Sequence, residues 1–305
     1  MRVTQSMLTN NMLRNLSSSY NSLGKYMDQL STGKKINRPS DDPVVAMKGM
    51  DYRTQVNQLE QYERNMGEVH NWLDNTDSAL DKTQKALVRL RELAVQGANG
   101  TYEEGQRGNI ASEVKQLREH LTEIANTKVN NKYIFSGTKT TGADGEKPFK
   151  VEGGYEDSGE FSYSFDGNNN DVKIEVSSGS VITVNTKADQ VFNEDFFKDL
   201  TEFAQKLEDP DVEDDEISAF ITKIDTHIDN NVNARADLGA RQNRVELIEN
   251  RVQEQTVAAK AMMSENEDAD IEEVIMNLTS QEAVHRAALS AGARIIQPTL
   301  LDFLR

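Results

Sequence analysis

Cysteine is absent from the 305 residues, which excludes a disulfide framework and thiolate chemistry. Positive charge is in deficit: 34 Lys and Arg stand against 51 Asp and Glu, a formal net charge of −17. That balance argues against neutralising nucleic-acid phosphates and against binding an anionic membrane surface. No apolar run approaches about 18 residues, so no transmembrane helix is expected. Met1 to Asn11 has no continuous apolar segment, so no Sec-type signal peptide is expected either. At 36% hydrophobic residues, the composition suits thin layers of helix better than a thick core.

The usual marks of catalysis are missing as well. His70, His120, His227 and His285 are scattered along the chain without an HExxH pattern, and no P-loop, GxGxxG or GxSxG occurs. Glu282 and His285 make one Glu-x-x-His, but a di-metal bundle needs a second copy. The oxygen-rich stretch Asp166 to Asp171 fails as an EF-hand, because its sixth and twelfth positions hold Asp171 and Ser177. No catalytic residue, metal ligand or cofactor is therefore expected.

What the chain does have is a long heptad stripe: Leu59, Tyr62, Met66, Val69, Leu73, Thr76, Leu80, Thr83, Leu87, Leu90 and Ala94. Only Gly67 interrupts it, off the stripe, and the segment predicts a rod about 54 Å long. A seam of that length needs helices of similar length to cover it. The rod is expected to follow a transition from Val44 to Gln58 and to close near Gly97. A second stripe follows at Ile110, Val114, Leu117, Leu121 and Ile124. From Ile217 to about Met263 another long helix carries Ile217, Ile221, Ile224, Ile228, Leu238, Val245, Ile248, Val252, Ala259 and Met262, and is expected to cover the first rod antiparallel.

Between the helices the period changes to two. Phe161, Tyr163 and Phe165 alternate with serines, and Val172, Ile174 and Val176 alternate with Lys173 and Glu175. Asp166 to Asp171 reads as the hairpin loop between those two strands. With the run Tyr133 to Thr138 ahead and Val181 to Asn185 behind, this predicts a small β insertion, residues 133–190. Helix returns at Phe196, Phe197, Leu200, Phe203, Ala204 and Leu207, breaks at Asp209-Pro210, and an acidic run to Glu216 leads into the next helix.

Both ends carry thin apolar stripes. The first helix, about Gln5 to Ser31, has Leu8, Met12, Leu16, Leu23 and Leu30 on a background of Ser and Asn, mediocre helix formers. Such a helix needs a partner surface to persist. The last element has Ile271, Val274, Leu278, Leu289, Ile295 and Ile296, and then a tail with Leu300, Leu301 and Phe303. Apolar residues so close to a terminus imply burial by something else. These residues are the expected assembly interface, the terminal regions being disordered in the isolated chain.

The segment Leu30 to Pro43 reads as a stop, a bend and a restart. Gly33 supplies a helix C-cap, Pro39 bars Arg38 from the α region, and Asp42 caps a helix whose first residue is Pro43. Gly33-Lys34-Lys35-Ile36-Asn37-Arg38-Pro39-Ser40-Asp41-Asp42-Pro43 resembles the N-terminal signature of the bacterial flagellin superfamily. Its Pro-Ser-Asp-Asp-Pro form is more similar to the hook-associated branch, the hook–filament junction proteins, than to filament flagellin. Arg89 to Gln96, Ala236 to Glu246 and the last ten residues resemble the same superfamily.

The resemblance implies a mainly α fold, an elongated antiparallel long-helix bundle with the small β domain inserted. Its divisions would be 1–40 with 268–305 as terminal coiled-coil assembly region, 41–132 with 191–267 as helical rod, and 133–190 as insertion. It also implies a structural, non-enzymatic subunit of the extracellular flagellum, exported unfolded through the flagellar type III pathway. Implied partners are hook-associated protein 1, flagellin, further copies of the chain and a cytoplasmic export chaperone, with no nucleic acid and no membrane. Filament flagellin itself is the alternative reading; a cytoplasmic coiled-coil adaptor would leave the signature stretches unexplained. Arg241 and Arg244 are further candidates for salt bridges between copies.

Overall fold

The computed structural model describes residues 5–99, 104–141, 146–152, 161–209 and 212–296. Its elements in order are α1 (Gln5–Thr32), α2 (Pro43–Gly97), α3 (Glu104–Ala125), β1 (Lys128–Val129), β2 (Lys132–Tyr133), β3 (Phe149–Glu152), β4 (Ser162–Phe165), β5 (Lys173–Ser177), β6 (Ser180–Thr183), α4 (Ala188–Val191), α5 (Glu194–Glu208), α6 (Asp214–Glu267) and α7 (Ile271–Ile296). The fold is mainly α. The chain divides into two compact units: unit 1 comprises Met1–Leu59 with Glu254–Arg305, and unit 2 comprises Glu60–Gln253.

The start of α2 follows from its sequence. Asp42 Oδ1 accepts from the backbone N–H groups of Val44 and Val45 at 3.0 and 3.1 Å, satisfying donors that a helix start leaves open. The expected transition over Val44 to Gln58 does not exist, because the helix runs unbroken for 55 residues. Nothing there forbids it: the segment has no proline, and Gly49, its weakest helix former, costs only about 1 kcal/mol.

In unit 2 the two long helices lie antiparallel, as their lengths predict. Arg91 meets Asp225 at 2.6 Å, Arg235 meets Asp77 and Asp81 at 3.0 Å, and His70 meets Glu249 at 2.9 Å, a ladder of descending against ascending numbers. The α2 stripe is buried from Met66 to Ala94. Its two threonines satisfy their hydroxyls on the preceding turn, Thr76 on the Trp72 carbonyl and Thr83 on that of Ala79.

On α6 the seam differs from the expected stripe. Buried positions are Ile217, Phe220, Ile224, His227, Asn231, Ala234, Leu238, Val245, Ile248, Val252, Thr256 and Ala259, whereas Ile221 and Ile228 are only half-buried. A period of 3.5 passes through three polar residues, His227, Asn231 and Thr256, whereas Ile221 and Ile228, which hydropathy favours, lie one position off it. His227 and Asn231 are held: His227 Nε2 lies 2.9 Å from Asp199 Oδ2, and Asn231 Nδ2 donates to the Leu80 carbonyl at 3.1 Å and to Gln84 Oε1 at 2.7 Å. On α3, likewise, Arg118 is buried and donates to Thr201 Oγ1 of α5 at 2.9 Å, while the expected Leu117 is half-buried.

The strands pair otherwise than expected. β4 pairs antiparallel with β3 and β5 with β6, so Asp166 to Asp171 is not a hairpin loop. Its asparagines clamp other segments instead. Asn168 Oδ1 accepts from Thr138 N at 2.9 Å, and the Asn170 carbonyl accepts from Asn185 Nδ2 at 3.1 Å. The true tight turn is Ser177 to Ser180, where Gly179 takes φ +71°. Phe135, Phe149, Phe192, Phe196 and Phe197 form one buried aromatic cluster, ring centroids 5.0 to 6.4 Å apart, joining the strands to α5. Within the chain, the Arg241 guanidinium donates to the carbonyls of Asn185 at 2.8 Å and Thr183 at 3.3 Å and pairs with Asp237.

Candidate assembly surface

Unit 1 is built on α1 and α7, which pair antiparallel. Ser19 Oγ lies 3.3 Å from His285 Nδ1 and accepts from Gln281 Nε2 at 3.2 Å; about two turns nearer the N-terminus, Met12 fills the space that a Cβ at Gly292 would need. The Tyr20 ring stands 6.2 Å from that of His285.

Of the interface residues read from the sequence, Val274 is buried and Met12, Leu16, Leu23 and Leu278 are half-buried; Leu30, Ile271 and Leu289 are exposed at 39%, 41% and 48%. Side chains of Leu8, Ile295 and Ile296, and all of Leu300, Leu301 and Phe303, lie outside the described residues.

A second apolar set escaped the stripe reading. Leu13, Tyr20 and Met27 are exposed, Tyr20 at 70%. They recur every seven residues beside the Leu16, Leu23, Leu30 column, so α1 carries two heptad seams that share one column. The seven-residue repeat was present in the sequence, but a search for one stripe stops at the first. On α7, Ile275, Met276 and Val284 are exposed, and at the start of α2 so are Val44, Met47 and Met50.

The turns joining α1 to α2 and α6 to α7 are tied together. Gly33 ends α1 at φ +66°, its N–H donating to the Gln29 carbonyl at 2.8 Å. Lys35 N donates to the Glu267 carbonyl at 2.7 Å and Ala269 N to the Gly33 carbonyl at 2.9 Å, an antiparallel bridge centred on Lys34 and Asp268. Glu267 is buried at 4% exposure, its Oε2 2.7 Å from Arg53 Nη2 and 3.5 Å from Lys34 Nζ. Lys34 also reaches Asp268 Oδ1 at 2.7 Å. The Asp268 carboxyl is held below its ordinary value by the hydrogen bonds from Lys34 and Ser264, and the hydrogen bond to Asp268 raises Lys34.

Charge divides unevenly too. Unit 1 holds 12 basic against 13 acidic residues, a net −1, and unit 2 carries the other −16. Among the described residues no group of three or more His, Cys, Asp or Glu could hold a metal ion, and no helix is long and apolar enough to cross a membrane. Unit 1 presents exposed apolar side chains and almost no net charge on a tied pair of helices.

The pattern of the bacterial flagellin N-terminal helical region matches residues 3–140, and that of the bacterial flagellin C-terminal helical region matches residues 221–304. The flagellar filament 41 kDa core protein of Borreliella burgdorferi is 26% identical, over 93% of this chain and 94% of its own. Flagellar hook-associated protein 3 of Salmonella typhimurium is 25% identical, over 94% of this chain and 95% of its own. In fold, the flagellar junction protein FlgL of Legionella pneumophila superposes with a TM-score of 0.59 at 17% identity, covering 72% of this chain and 99% of its own.

Proposed function

The chain belongs to the bacterial flagellin family, and on that premise we propose that it is a junction subunit of the flagellum. It connects the hook, through hook-associated protein 1, to the flagellin filament. The observation that carries the assembly reading is the concentration of exposed apolar side chains on a nearly neutral unit 1, which water disfavours and neighbouring copies relieve. The Pro39-Ser40-Asp41-Asp42-Pro43 form and the fold likeness to junction proteins support the place of that assembly.

In this reading residues 1–40 and 268–305 form the assembly region and gain their final order among copies. Residues 41–132 with 191–267 form the rod, and 133–190 the insertion. Leu8, Met12, Leu16, Leu23, Leu30, Ile271, Val274, Leu278, Leu289, Ile295, Ile296, Leu300, Leu301 and Phe303 line the interface. The subunit acts outside the cell without enzymatic activity. It reaches its place unfolded through the flagellar type III pathway, with an export chaperone masking the C-terminal region until then.

Filament flagellin is the second reading, favoured by the comparable identity to a filament core protein. Gene deletion separates the two. Loss of a junction subunit leaves complete hooks and flagellin monomers spilled into the medium; loss of flagellin leaves capped hooks and no spilled monomer. The second result overturns the proposal.

A further inference from the structure

We propose that Glu267 is a positioning residue for assembly, locking the two inter-helix turns of unit 1 together so that the α1/α7 pair is presented to arriving copies at one fixed angle. This inference rests on the assembly reading above.

Three features set Glu267 apart from the surface ion pairs of the chain. It is a buried carboxylate engaged by two cations, Arg53 at 2.7 Å and Lys34 at 3.5 Å. A carboxylate this far from water holds its place only while those partners remain. Room for it is made by one residue: a Cβ at Gly49 would stand 2.6 Å from Glu267 Oε1. Its main chain takes part as well, since the Glu267 carbonyl receives Lys35 N in the bridge between the turns. Neighbouring bonds close the same joint, with Gln29 Nε2 on the Lys35 carbonyl at 2.7 Å and Asn266 Nδ2 on the Val45 carbonyl at 3.0 Å.

The physical logic is that helix pairs joined by short turns swing unless something fixes both turns. Two backbone bonds alone make a short bridge open to water on its edges. A buried charge reaching α2 through Arg53 and the first turn through Lys34 converts that bridge into a rigid corner. The exposed columns of α1 and α7 then point one way before any copy arrives, which lowers the ordering cost of association.

Limited trypsin digestion of the purified full-length chain reads the joint directly, because Lys34 and Lys35 lie within it. Glu267→Gln removes the charge at constant volume, and Gly49→Ala removes the space. Each is expected to raise cleavage after Lys35 by about tenfold, with cleavage elsewhere and helix content unchanged. The chain has no cysteine, so Lys34→Cys with Asp268→Cys adds one disulfide across a non-hydrogen-bonded antiparallel pair, whose Cα atoms are typically about 4.5 Å apart. Oxidised in the Glu267→Gln background, this cross-link is expected to return cleavage after Lys35 to within about twofold of the same cysteine pair with Glu267 intact.

Wild-type cleavage in both single variants overturns the lock. Faster cleavage with undiminished co-sedimentation on purified hooks overturns its positioning role. Loss of co-sedimentation that the oxidised cross-link restores and reduction abolishes supports it. Failure of the assembly reading is visible separately, as undiminished co-sedimentation of Leu16→Asp while the cleavage results stand.

Discussion

The two units of this chain spend their apolar residues in opposite ways. Among the described residues, unit 2 contains forty-two of the buried apolar side chains and five of the large exposed ones; unit 1, with more than half as many residues, contains four buried and fifteen exposed. Net charge follows the same division, −16 against −1. A unit with its apolar groups inside and repulsive charge outside is finished as a monomer. One with apolar groups outside and almost no net charge is what the proposed association would finish. Under the proposed assembly, one chain combines a body with its own core and a region whose stability rises with subunit concentration.

Substituting charges tests that contrast most severely. Leu80→Asp puts an unpaired carboxylate into the unit 2 seam and is expected to cost more than about 4 kcal/mol, enough to unfold the unit. Leu13→Asp, on the exposed column of unit 1, is expected to change monomer stability by less than about 0.5 kcal/mol and yet to prevent association. Urea denaturation followed by circular dichroism, with sedimentation of the same samples, compares them; equal losses of stability would erase the distinction.

Next in size is the aromatic cluster. Phe197→Ala should destabilise unit 2 by about 3–5 kcal/mol, since a buried ring leaves a cavity that the other four rings cannot fill. Association of α1 and α7 surfaces should persist wherever the chain remains folded. A smaller effect of opposite sign is expected from Asn231→Leu. The Asn231 Oδ1 is buried without a hydrogen-bond partner, so an apolar residue at that heptad position should raise the unfolding free energy from urea denaturation by on the order of 1 kcal/mol.

The smallest effect belongs to unit 1 and to pH. Asp268 has a folded pKa below its ordinary 3.8, so its contribution is present above that value and is lost as pH falls through the lowered one. The stability difference between wild type and Asp268→Asn, read by thermal circular dichroism, should stay constant near neutrality and vanish in the acid range below about 3.8. Because Asp268 is 46% exposed, solvent screening keeps the difference small. A difference that grows on acidification would contradict the assignment.

Much of this was legible in the residues because the rules involved are local. Asp42-Pro43 starts a helix and Gly33 ends one wherever they occur, and the α2 heptads declare their buried face without a partner in view. The strand segments were legible for the same reason, as alternation is a property of the single strand. Their pairing was not. β4 and β5 are adjacent in sequence and both alternate, yet β5 turns back on β6 through the tight turn at Gly179 and β4 pairs with β3, while Asn168 and Asn185 hold the segment between β4 and β5 to other parts of the chain. His227, Asn231 and Arg118 were passed over because a polar residue reads as surface until its partner is known. Leu13, Tyr20 and Met27 were passed over because one heptad column had already accounted for the helix.

By itself the sequence determined the helix ends, the α2 seam, the acidic excess and the likeness to flagellins, all of which depend on spacing and composition. Only the tertiary structure decided which apolar column of α1 lies against α7 and which remains in water, which strands pair, and that Glu267 sits in the space left by Gly49. The helix pairing and the Glu267 niche depend on contacts between residues more than two hundred positions apart, and the strand pairing on which neighbour each strand meets, neither of which local spacing encodes.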